Sequence, residues 1–457
     1  MNTFLEGSHI HLVGIAGSGM NGIARILLRR GFTVSGSDEK ESATLNSLAK
    51  LGAKTFVGHR AEQVAGANYV VISSAITESN PEVVAAKEAG IEVIRRASAL
   101  ARLLPGKFSV AVAGTHGKTT TSGMLAQLLQ DLGRSPSFVI GSNISALGES
   151  AKEGDGDEFV IEADESDGSF LEYQPDAAII TNIELDHVDN FESIQELVHL
   201  FERFAATAKE MVILCHDDPH ASSLKIPVNI RRISYGMKEG ADLRIAEVVA
   251  EDGGTRSRLI YEGEEIGSLK VAVPGLHNAL NAAGVVATAL GMGLNGAEVI
   301  AALSSFRGTS RRFDIKGIVN GITIVDDYGH HPTEIRATIL AARAHLAAHH
   351  GGRLAVIFQP HRFSRTQVFV EEFAAALSGA DRCIVMDIYS AGESAIEGVT
   401  SASITDRSEN ALHLSDRNLI IDEMKLWARP GDLIMTLGAG DVTDLAPQLL
   451  SALELRK

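Results

Sequence analysis

Short apolar runs and amphipathic segments alternate along this 457-residue chain. Runs rich in valine and isoleucine lead into glycine-rich turns, and these turns lead into segments whose leucines and alanines recur every three or four positions. Segments 21–30 and 44–51 are examples, and each is followed by a glycine, Gly31 or Gly52, where a helix typically ends. The alternation predicts βαβ units, so the expected fold class is α/β with doubly wound, largely parallel sheets.

Two breaks in this pattern predict three domains. Residues 99–107 precede a new strand, and residues 305–314 lack apolar periodicity, as expected for an exposed connection. Residues 258–275 have the pattern of a β-hairpin, so the middle sheet is expected to be mixed. The expected domains are residues 1–106, residues 107–309 and residues 310–457.

Composition and charge narrow the class of partner. The formal net charge of −17 argues against nucleic acid or an anionic membrane surface. No apolar stretch approaches the roughly 20 residues of a membrane-spanning helix, and the first residues lack the pattern of a secretion signal. Cys215 and Cys383 are isolated in sequence and support neither a disulfide framework nor a zinc site. A cytoplasmic protein that acts on small molecules is expected, and its oligomeric state is left open.

The strongest local motif is AGTHGKTTTSGML, residues 113–125. A strand is predicted to end at Gly114 and a helix to begin near Thr119. Backbone amides in such a loop bind phosphate oxygens, Lys118 neutralises their charge, and the Thr119 hydroxyl suits Mg²⁺. The strict Walker spacing fails, because its first glycine would fall at Val112. A structural turn does not require Gly-Lys-Thr-Thr at a helix start, so the motif predicts nucleotide phosphate binding, with Lys118 as an exposed loop lysine.

Acidic and histidine side chains follow two further predicted strands. One strand runs into Glu162 and more acids, and the other ends in Asp186, His187 and Asp189. In an open parallel sheet, ligands bind beyond the carboxyl ends of the strands, so Lys118, Glu162 and His187 are expected at one edge. A lone histidine or glutamate there is usually a solvated cap. Three such strand ends in one domain favour a site for Mg²⁺ and phosphate.

The first domain contains a glycine motif of the dinucleotide-binding type. Gly17, Gly19 and Gly22 follow the first strand, and Asp38 ends the second. This motif indicates diphosphate and ribose binding rather than nicotinamide, and Ser73 at a further strand end adds a hydroxyl. The alternatives are a tight turn with close helix packing, and a nicotinamide-dependent oxidoreductase. The latter would leave the Gly-Lys-Thr-Thr motif without a purpose.

Two polar motifs end strands of the last domain, DDYGHHP at 326–332 and FQPHRFSRT at 358–366. Metal binding by the first is disfavoured, because adjacent histidine side chains point apart. Arg362 and Arg365 lie three residues apart, so one helical turn would place both on one face. Paired guanidinium groups suit a carboxylate ligand. Surface arginines that bind nothing are the alternative.

Together these segments resemble the Mur ligase family over almost the whole chain. Seven segments occur in the family's order: GTHGKTT, EADESD, TNIELDHVD, GLHNALN, RRFD, DDYGHHP and FQPHRFSRT. The resemblance implies a Rossmann-like N-terminal domain that binds a UDP-sugar, a central P-loop ATPase domain, and a Rossmann-like C-terminal domain that binds an amino acid. The motifs are most similar to members that use L-alanine. Several later enzymes of the pathway carry a carbamylated lysine where residues 192–204 have none.

The resemblance also implies a role for each matching residue. It assigns ATP to Gly114, Thr115, His116, Gly117, Lys118, Thr119, Thr120, Asn278, Arg312, Asp326 and Asp327. It assigns Mg²⁺ to Thr119, Glu162 and His187, and the UDP-sugar to Gly17, Ser18, Gly19, Asp38 and Ser73. It assigns L-alanine to Tyr328, His330, Arg362 and Arg365. Lys118 and His187 are expected to be catalytic, and His330 or His331 is a candidate general base.

The implied reaction joins L-alanine to UDP-N-acetylmuramate in peptidoglycan precursor synthesis. ATP would first convert the substrate carboxylate into an acyl phosphate, which the amine of alanine would then attack. One alternative is a relative that attaches an intact tripeptide to the same UDP-sugar in murein recycling. Another is a regulatory or binding ATPase, which would require neither UDP nor an amino acid.

Overall fold

The structure is a computed structural model that describes residues 3–188, 190–251, 253–349 and 351–455. Within these residues the larger strands form three separate sheets, each with helices packed on it. This arrangement confirms the three-domain α/β architecture expected from the sequence. Every helix in the described ranges is too short or too polar to cross a bilayer.

The N-terminal domain is a five-stranded parallel sheet with helices. Its strands are β1 (His9–Val13), β2 (Thr33–Asp38), β3 (Lys54–Val57), β4 (Tyr69–Ile72) and β5 (Glu92–Arg95). Its helices are α1 (Ser18–Arg29), α2 (Ala43–Lys50), α3 (Pro81–Glu88) and α4 (Arg96–Ala101), with a 3₁₀ turn at Ala61–Val64. The strand order is β3-β2-β1-β4-β5. Because the order reverses between β1 and β4, a crevice opens at their carboxyl ends, where folds of this kind bind ligands.

Glycines terminate the helices as the sequence predicts. α1 ends at Arg29, and Gly31 has a φ of 82°. α2 ends at Lys50, and Gly52 has a φ of 105°. A side chain at such a φ would strain the backbone, so glycine favours the helix ending there.

The central domain is a ten-stranded mixed sheet. Its strands are β6 (Phe108–Ala113), β7 (Ser137–Ile144), β8 (Glu149–Lys152), β9 (Glu158–Glu162), β10 (Ala177–Ile180), β11 (Met211–Cys215), β12 (Arg231–Gly236), β13 (Leu243–Glu251), β14 (Gly254–Tyr261) and β15 (Glu264–Val271). Its helices are α5 (Lys118–Asp131), α6 (Ile194–Ala205), α7 (Pro219–Ser222), α8 (Leu276–Gly291) and α9 (Gly296–Leu303), with a 3₁₀ turn at Ser169–Glu172. The order is β15-β14-β13-β12-β11-β10-β6-β9-β7-β8. The antiparallel pair β14–β15 is the predicted hairpin, and β9, β6 and β10 end side by side.

The C-terminal domain is a six-stranded sheet. Its strands are β16 (Asp314–Val319), β17 (Ile322–Asp327), β18 (Leu354–Phe358), β19 (Arg382–Val385), β20 (Ala411–His413) and β21 (Leu433–Leu437). Its helices are α10 (Pro332–Ala348), α11 (Phe363–Val368), α12 (Val370–Leu377), α13 (Ala402–Thr405), α14 (Arg417–Trp427) and α15 (Leu445–Glu454), with a 3₁₀ turn at Asp441–Asp444. The order is β16-β17-β21-β18-β19-β20, and only the β16–β17 pair is antiparallel.

The connection at residues 305–314 is not the exposed segment that its composition predicts. Phe306 and Thr309 are fully buried. The Ser310 amide donates to the Asn143 carbonyl of the central domain at 2.9 Å. The Arg311 guanidinium donates to the Gly438 carbonyl of the C-terminal domain at 2.5 Å. Arg307 is exposed, but hydrogen bonds to both domains hold most of the segment partly or fully buried despite its composition.

Candidate active site

The lysine loop, residues 114–118, joins β6 to α5 at the carboxyl edge of the central sheet. Gly114 and Gly117 have φ angles of 128° and 84°, which glycine adopts without strain. A Cβ on Gly114 would lie 2.0 Å from Thr181 Oγ1, so the loop passes directly over the end of the neighbouring strand. Because α5 begins at Lys118, the free amides of its first turn lie at the end of this loop and directly after it.

Lys118 is not the exposed lysine that the sequence predicts, since its side chain is only 13% exposed. Its Nζ donates to the Gly114 carbonyl at 2.7 Å and lies 2.7 Å from Oε2 of the fully buried Glu165. Burial acts to lower the pKa of Lys118, but the negative charges of Glu165 and Asp164 outweigh burial and raise that pKa. Lys118 is therefore a charged group held in a fixed position by its neighbours.

Glu165 has one oxygen that Lys118 does not bind. This atom, Oε1, is buried without a hydrogen-bond partner among the described residues and lies 3.7 Å from Nε2 of His187. Burial raises the pKa of Glu165, although the charge of Lys118 acts in the opposite direction. An unpartnered buried carboxylate oxygen is costly. It marks a position that suits a cation.

Oxygen atoms that could ligate a metal ion lie on both sides of the lysine loop. Thr119 Oγ1 donates to Glu162 Oε1 at 3.0 Å. Ligand atoms of Asp164, Glu165 and His187 all lie within 4.8 Å of one another. Hydroxyl and carboxylate oxygens are the donors that Mg²⁺ prefers, and the unpartnered Glu165 oxygen supplies an available ligand atom, so the donor set fits this ion.

The predicted metal ligands fall into two groups. Thr119 and Glu162 contact each other, whereas His187 lies beside Asp164 and Glu165. Asp164 and Glu165 belong to the run of acids that follows Glu162, but the sequence motifs assign them no role. His187 has a φ of 52°, a strained value for this residue type that is common at functional sites. Asp189 lies outside the described residues.

A cavity of about 480 Å³ extends from the lysine loop between the central and C-terminal domains. Its volume lies in the range of small-molecule sites. The predicted ATP residues that line it are His116, Gly117, Thr120, Asn278, Arg312 and Asp327. Four more of the predicted ATP residues belong to the lysine loop or to the first turn of α5: Gly114, Thr115, Lys118 and Thr119. The cavity is also lined by residues to which the sequence assigned no role, among them Glu184, His277, Thr333 and Glu334.

Asp326 lies outside this cavity, unlike its neighbour Asp327. Successive residues of a strand face opposite sides of the sheet, and Asp326 accepts hydrogen bonds from Thr436 and Thr443 at 2.7 and 2.8 Å. The expected aspartate pair at the nucleotide site is therefore reduced to Asp327. Burial raises the pKa of Asp327 to about 6, although the charge of Arg312 acts in the opposite direction.

His116 connects the lysine loop to the C-terminal domain. Its Nε2 lies 2.9 Å from Glu184 Oε2, and its Nδ1 lies 3.4 Å from Glu334 Oε1. Glu184 also accepts a hydrogen bond from Thr333 of the C-terminal domain at 2.7 Å. Burial acts to lower the pKa of His116, but hydrogen bonds to Glu184 and Glu334 and their charges raise it to about 9. His116 is therefore an imidazolium at neutral pH.

This imidazolium makes stability depend on pH. The pKa of about 9 in the folded protein exceeds the ordinary value of 6.5, so protonation favours folding. The contribution is complete below about pH 6.5 and is lost as the pH rises through about 9. We expect the thermal unfolding midpoint of the wild-type protein to fall over this range, and to fall less in His116→Gln. Equal pH profiles for the two proteins would contradict the assignment.

The two candidate general bases have different environments. His331 is buried, and its Nδ1 accepts a hydrogen bond from the Thr333 amide at 3.3 Å, which caps α10. His331 therefore has a structural role as the cap of α10. Burial, followed by the charge of Arg365, lowers the pKa of His330 to about 3. The ring of His330 is neutral at physiological pH and accepts a proton only weakly.

The predicted alanine residues lie on the C-terminal side of the interface between the two domains. The rings of Tyr328 and His330 are 5.3 Å apart, and His330 is 5.7 Å from His361. Nδ1 of His361 lies 3.3 Å from Nη1 of Arg365. His361 therefore joins Tyr328, His330 and Arg365 in one cluster. It lies in the FQPHRFSRT motif but was not assigned from the sequence.

Arg362 and Arg365 do not form the expected pair on one helical face. Arg362 has a φ of 73° and precedes the first residue of α11, and the two guanidinium groups lie beside different carboxylates. The buried Arg365 donates from Nε and Nη2 to Asp186 Oδ1 at 3.0 and 2.8 Å. Asp186 belongs to the central domain, so this ion pair joins two domains. The side chain of Arg362 is 33% exposed and lies 3.6 Å from Glu393.

The predicted UDP-sugar residues lie at the carboxyl edge of the N-terminal sheet. Gly17 caps α1, and both Gly17 and Ser18 are exposed. Asp38 accepts a hydrogen bond from the Ala16 amide at 3.0 Å, which fixes the turn before α1. Ser73 follows β4 directly. These residues surround the crevice at which the strand order reverses.

Family comparisons match each of the three domains. Residues 9–107 match the Mur ligase family catalytic domain. Residues 112–289 match the Mur ligase middle domain, and residues 311–440 match the Mur ligase glutamate ligase domain.

Individual relatives match over nearly the whole chain. The UDP-N-acetylmuramate–L-alanine ligase of Thermobifida fusca is 44% identical over 97% of this chain and 96% of that protein. The ligase of the same name from Renibacterium salmoninarum is 45% identical over 97% of this chain and 96% of its own.

Solved structures give the same result. The UDP-N-acetylmuramate–alanine ligase of Thermotoga maritima superposes with a TM-score of 0.82 at 29% identity, over 98% of this chain and 100% of that one. A murein peptide ligase from Psychrobacter arcticus has a TM-score of 0.71 at 24% identity, over 98% of this chain and 99% of that one, and at this identity it shows only the fold. The chain belongs to the Mur ligase family.

Proposed function

We propose that this chain forms the amide bond between L-alanine and the carboxylate of UDP-N-acetylmuramate, with ATP as co-substrate, in peptidoglycan precursor synthesis. The observation that carries the proposal is the identity of 44% and 45% to relatives named for this ligation, over 97% of the chain. The lysine loop supports it, because it opens into a cavity of nucleotide-compatible size between two domains. We also propose a cytoplasmic location, because ATP is available there.

The reaction requires activation of the carboxylate, because a carboxylate and an amine form a salt at neutral pH. A carboxylate oxygen attacks the γ-phosphorus of ATP, ADP leaves, and an acyl phosphate forms. The amine of alanine attacks the acyl carbon, loses a proton, and expels phosphate. Lys118 is positioned to stabilise the charge of the transferring phosphoryl group. Mg²⁺, held by Thr119 and Glu162 with a second ion at His187, would neutralise phosphate oxygens when bound.

The proposed ATP site combines the lysine loop with the cavity. Residues 114–120 bind the phosphates, and Asn278, Arg312 and Asp327 contact the nucleoside portion or the phosphates from the cavity walls. Asp326 is not included in the proposed ATP site, because its carboxylate already accepts hydrogen bonds from Thr436 and Thr443. The proposed domain limits are residues 1–106, 107–309 and 310–457, which place each sheet within one domain.

The proposed alanine site lies at the cluster of Tyr328, His330 and the two arginines. Arg362 is the proposed ligand of the alanine carboxylate, because its guanidinium is the more accessible of the pair. Neutral His330 is the proposed acceptor of the amine proton. A base with a lowered pKa accepts this proton only once the amine has begun to form its new bond, since bond formation makes the amine more acidic.

A tripeptide ligase of murein recycling is the alternative function. The murein peptide ligase of Psychrobacter arcticus shares the fold, whereas the relatives of 44% and 45% identity carry the alanine name. Of the two, the alanine-adding function is therefore favoured.

A phosphate-release assay tests the function directly. We expect phosphate only when ATP, Mg²⁺, UDP-N-acetylmuramate and L-alanine are all present, with equimolar UDP-N-acetylmuramoyl-L-alanine found by mass spectrometry. Parallel reactions contain the tripeptide in place of alanine, or omit the UDP-sugar. Faster turnover with the tripeptide would establish the recycling function. Equal phosphate release without the UDP-sugar would indicate a simple ATPase.

A further inference from the structure

The residues assigned to the UDP-sugar include no cation. They are Gly17, Ser18, Gly19, Asp38 and Ser73. A diphosphate brings at least two negative charges, and Asp38 adds another. The N-terminus of α1 offsets only about half an elementary charge. In a chain with a net charge of −17, a positive side chain from outside the assigned set would offset the remaining negative charge in this crevice.

Arg96 reaches the crevice from its far side. It follows β5 as the first residue of α4, and β4 lies between β5 and β1. Its side chain nevertheless contacts the first turn of α1, which follows β1. A Cβ on Gly19 would lie 2.6 Å from Nη1 of Arg96 and 3.0 Å from its Cδ. The guanidinium therefore spans the carboxyl end of β4 and occupies space that any side chain at Gly19 would fill.

The guanidinium of Arg96 has no anionic partner in the described part of the chain. Two other partly buried arginines of this region pair with a carboxylate, Arg102 with Glu92 and Arg30 with Glu153 at 3.1 Å, and a third, Arg25, donates to Asn21 and Ser47. Arg96 is only partly exposed, yet no carboxylate of the described residues lies within ion-pair distance of it. Arg96 therefore differs from these three arginines, each of which contacts a side-chain partner. A cation of this kind is expected where a bound ligand supplies the anion.

Arg96 also lies toward the central domain. Its charge acts on Asp164, the buried acid beside Lys118. Burial acts to raise the pKa of Asp164, but the charge of Lys118, followed by a hydrogen bond from Ser166 and the charges of His187 and Arg96, lowers it. Arg96 thus stands between the glycine turn of the first domain and the group of residues around the lysine loop.

We propose that Arg96 binds the diphosphate of the UDP-sugar and positions it against the first turn of α1, with the sugar directed toward Lys118. This inference rests on the proposed function. Arginine suits the task, because its planar guanidinium donates two parallel hydrogen bonds to phosphate oxygens. The absence of a side chain at Gly19 lets the guanidinium and the helix amides approach the same phosphates.

Arg96→Met removes the guanidinium and retains an unbranched apolar stem. Arg95→Met is the matched control, because Arg95 is the exposed preceding residue and its loss removes the same formal charge. We expect Arg96→Met to raise KM for UDP-N-acetylmuramate by about ten- to a hundredfold. KM for ATP and alanine should stay within about twofold of wild type, as should kcat at saturating UDP-sugar. Arg95→Met should leave every constant unchanged.

Calorimetric titration of the full chain with UDP separates binding from catalysis. UDP should bind Arg96→Met about ten- to a hundredfold more weakly than wild type, and Arg96→Lys should recover part of the loss. Unchanged UDP affinity in Arg96→Met would overturn the proposal. If circular dichroism shows that Arg96→Met is unfolded, Arg96→Lys decides: weaker UDP binding supports the proposal, and unchanged binding overturns it.

The same titration distinguishes this inference from the proposed function. One outcome is that wild type binds UDP and Arg96→Met does not, while wild type makes no alanine product. That result would support the role of Arg96 in diphosphate binding and reject the alanine reaction. If wild type binds ATP but not UDP, both the UDP-sugar site and the role of Arg96 are rejected.

Discussion

Lys118→Met is expected to reduce turnover by about a hundred- to a thousandfold, the usual effect of removing one fixed group that stabilises transition-state charge. The expectation rests on the position of Nζ, which the Gly114 carbonyl and Glu165 hold at the end of β6. Single-turnover measurement of acyl phosphate or product formation provides the test. Retention of a tenth of wild-type turnover would exclude a phosphate-stabilising role.

The control for Lys118→Met must address stability, because the structure buries this residue. Removal of Lys118 leaves Glu165 buried without its ion-pair partner, which costs about 3–5 kcal/mol for pairs of this kind. Lys118→Met combined with Glu165→Gln removes both charges and should unfold closer to wild type. If the double variant is stable and still inactive, the loss belongs to catalysis. If it regains activity, Lys118 acts through stability alone.

Arg365→Met is expected to destabilise the protein by about 3–5 kcal/mol, because it leaves Asp186 buried and unpaired. Asp186→Asn combined with Arg365→Met should recover most of this stability. The double variant should remain a poor ligase, since the ion pair that joins the central and C-terminal domains is still missing. Denaturant unfolding and steady-state kinetics on the same samples measure both effects. Full activity in the double variant would show that the ion pair is dispensable.

Arg362→Met is the matched comparison three residues away. Its side chain is partly exposed beside Glu393, so little stability should be lost. We expect KM for alanine to rise about ten- to a hundredfold, with KM for ATP and UDP-N-acetylmuramate unchanged. A rise in KM for ATP instead would place Arg362 at the nucleotide site.

The sequence predicts the fold well because the fold depends on local patterns. The period of apolar residues, the glycines after helices and the hairpin at residues 258–275 each reflect a preference of nearby backbone. Parallel strands also align their carboxyl ends, which is why the segments that contain Lys118, Glu162 and His187 lie at one edge. These features do not depend on how the domains are arranged.

Side-chain partners were harder to predict because they cross domains. Nothing near Arg365 in sequence indicates that Asp186, 179 residues away, binds its guanidinium. The same holds for Glu334, which meets His116 across the cavity. Asp326 is a different case. Strand alternation alone requires Asp326 and Asp327 to face opposite sides, so its separation from the cavity could have been predicted.

Three contacts join the central domain to the C-terminal domain, and the first two involve residues that line the cavity: His116–Glu334, Glu184–Thr333 and Asp186–Arg365. If domain opening releases a nucleotide bound in this cavity, these contacts must break first, and the rate of opening then limits ADP release. Product release therefore becomes a candidate for the slow step of the cycle. Solvent viscosity, which slows domain motion more than bond chemistry, would then govern turnover.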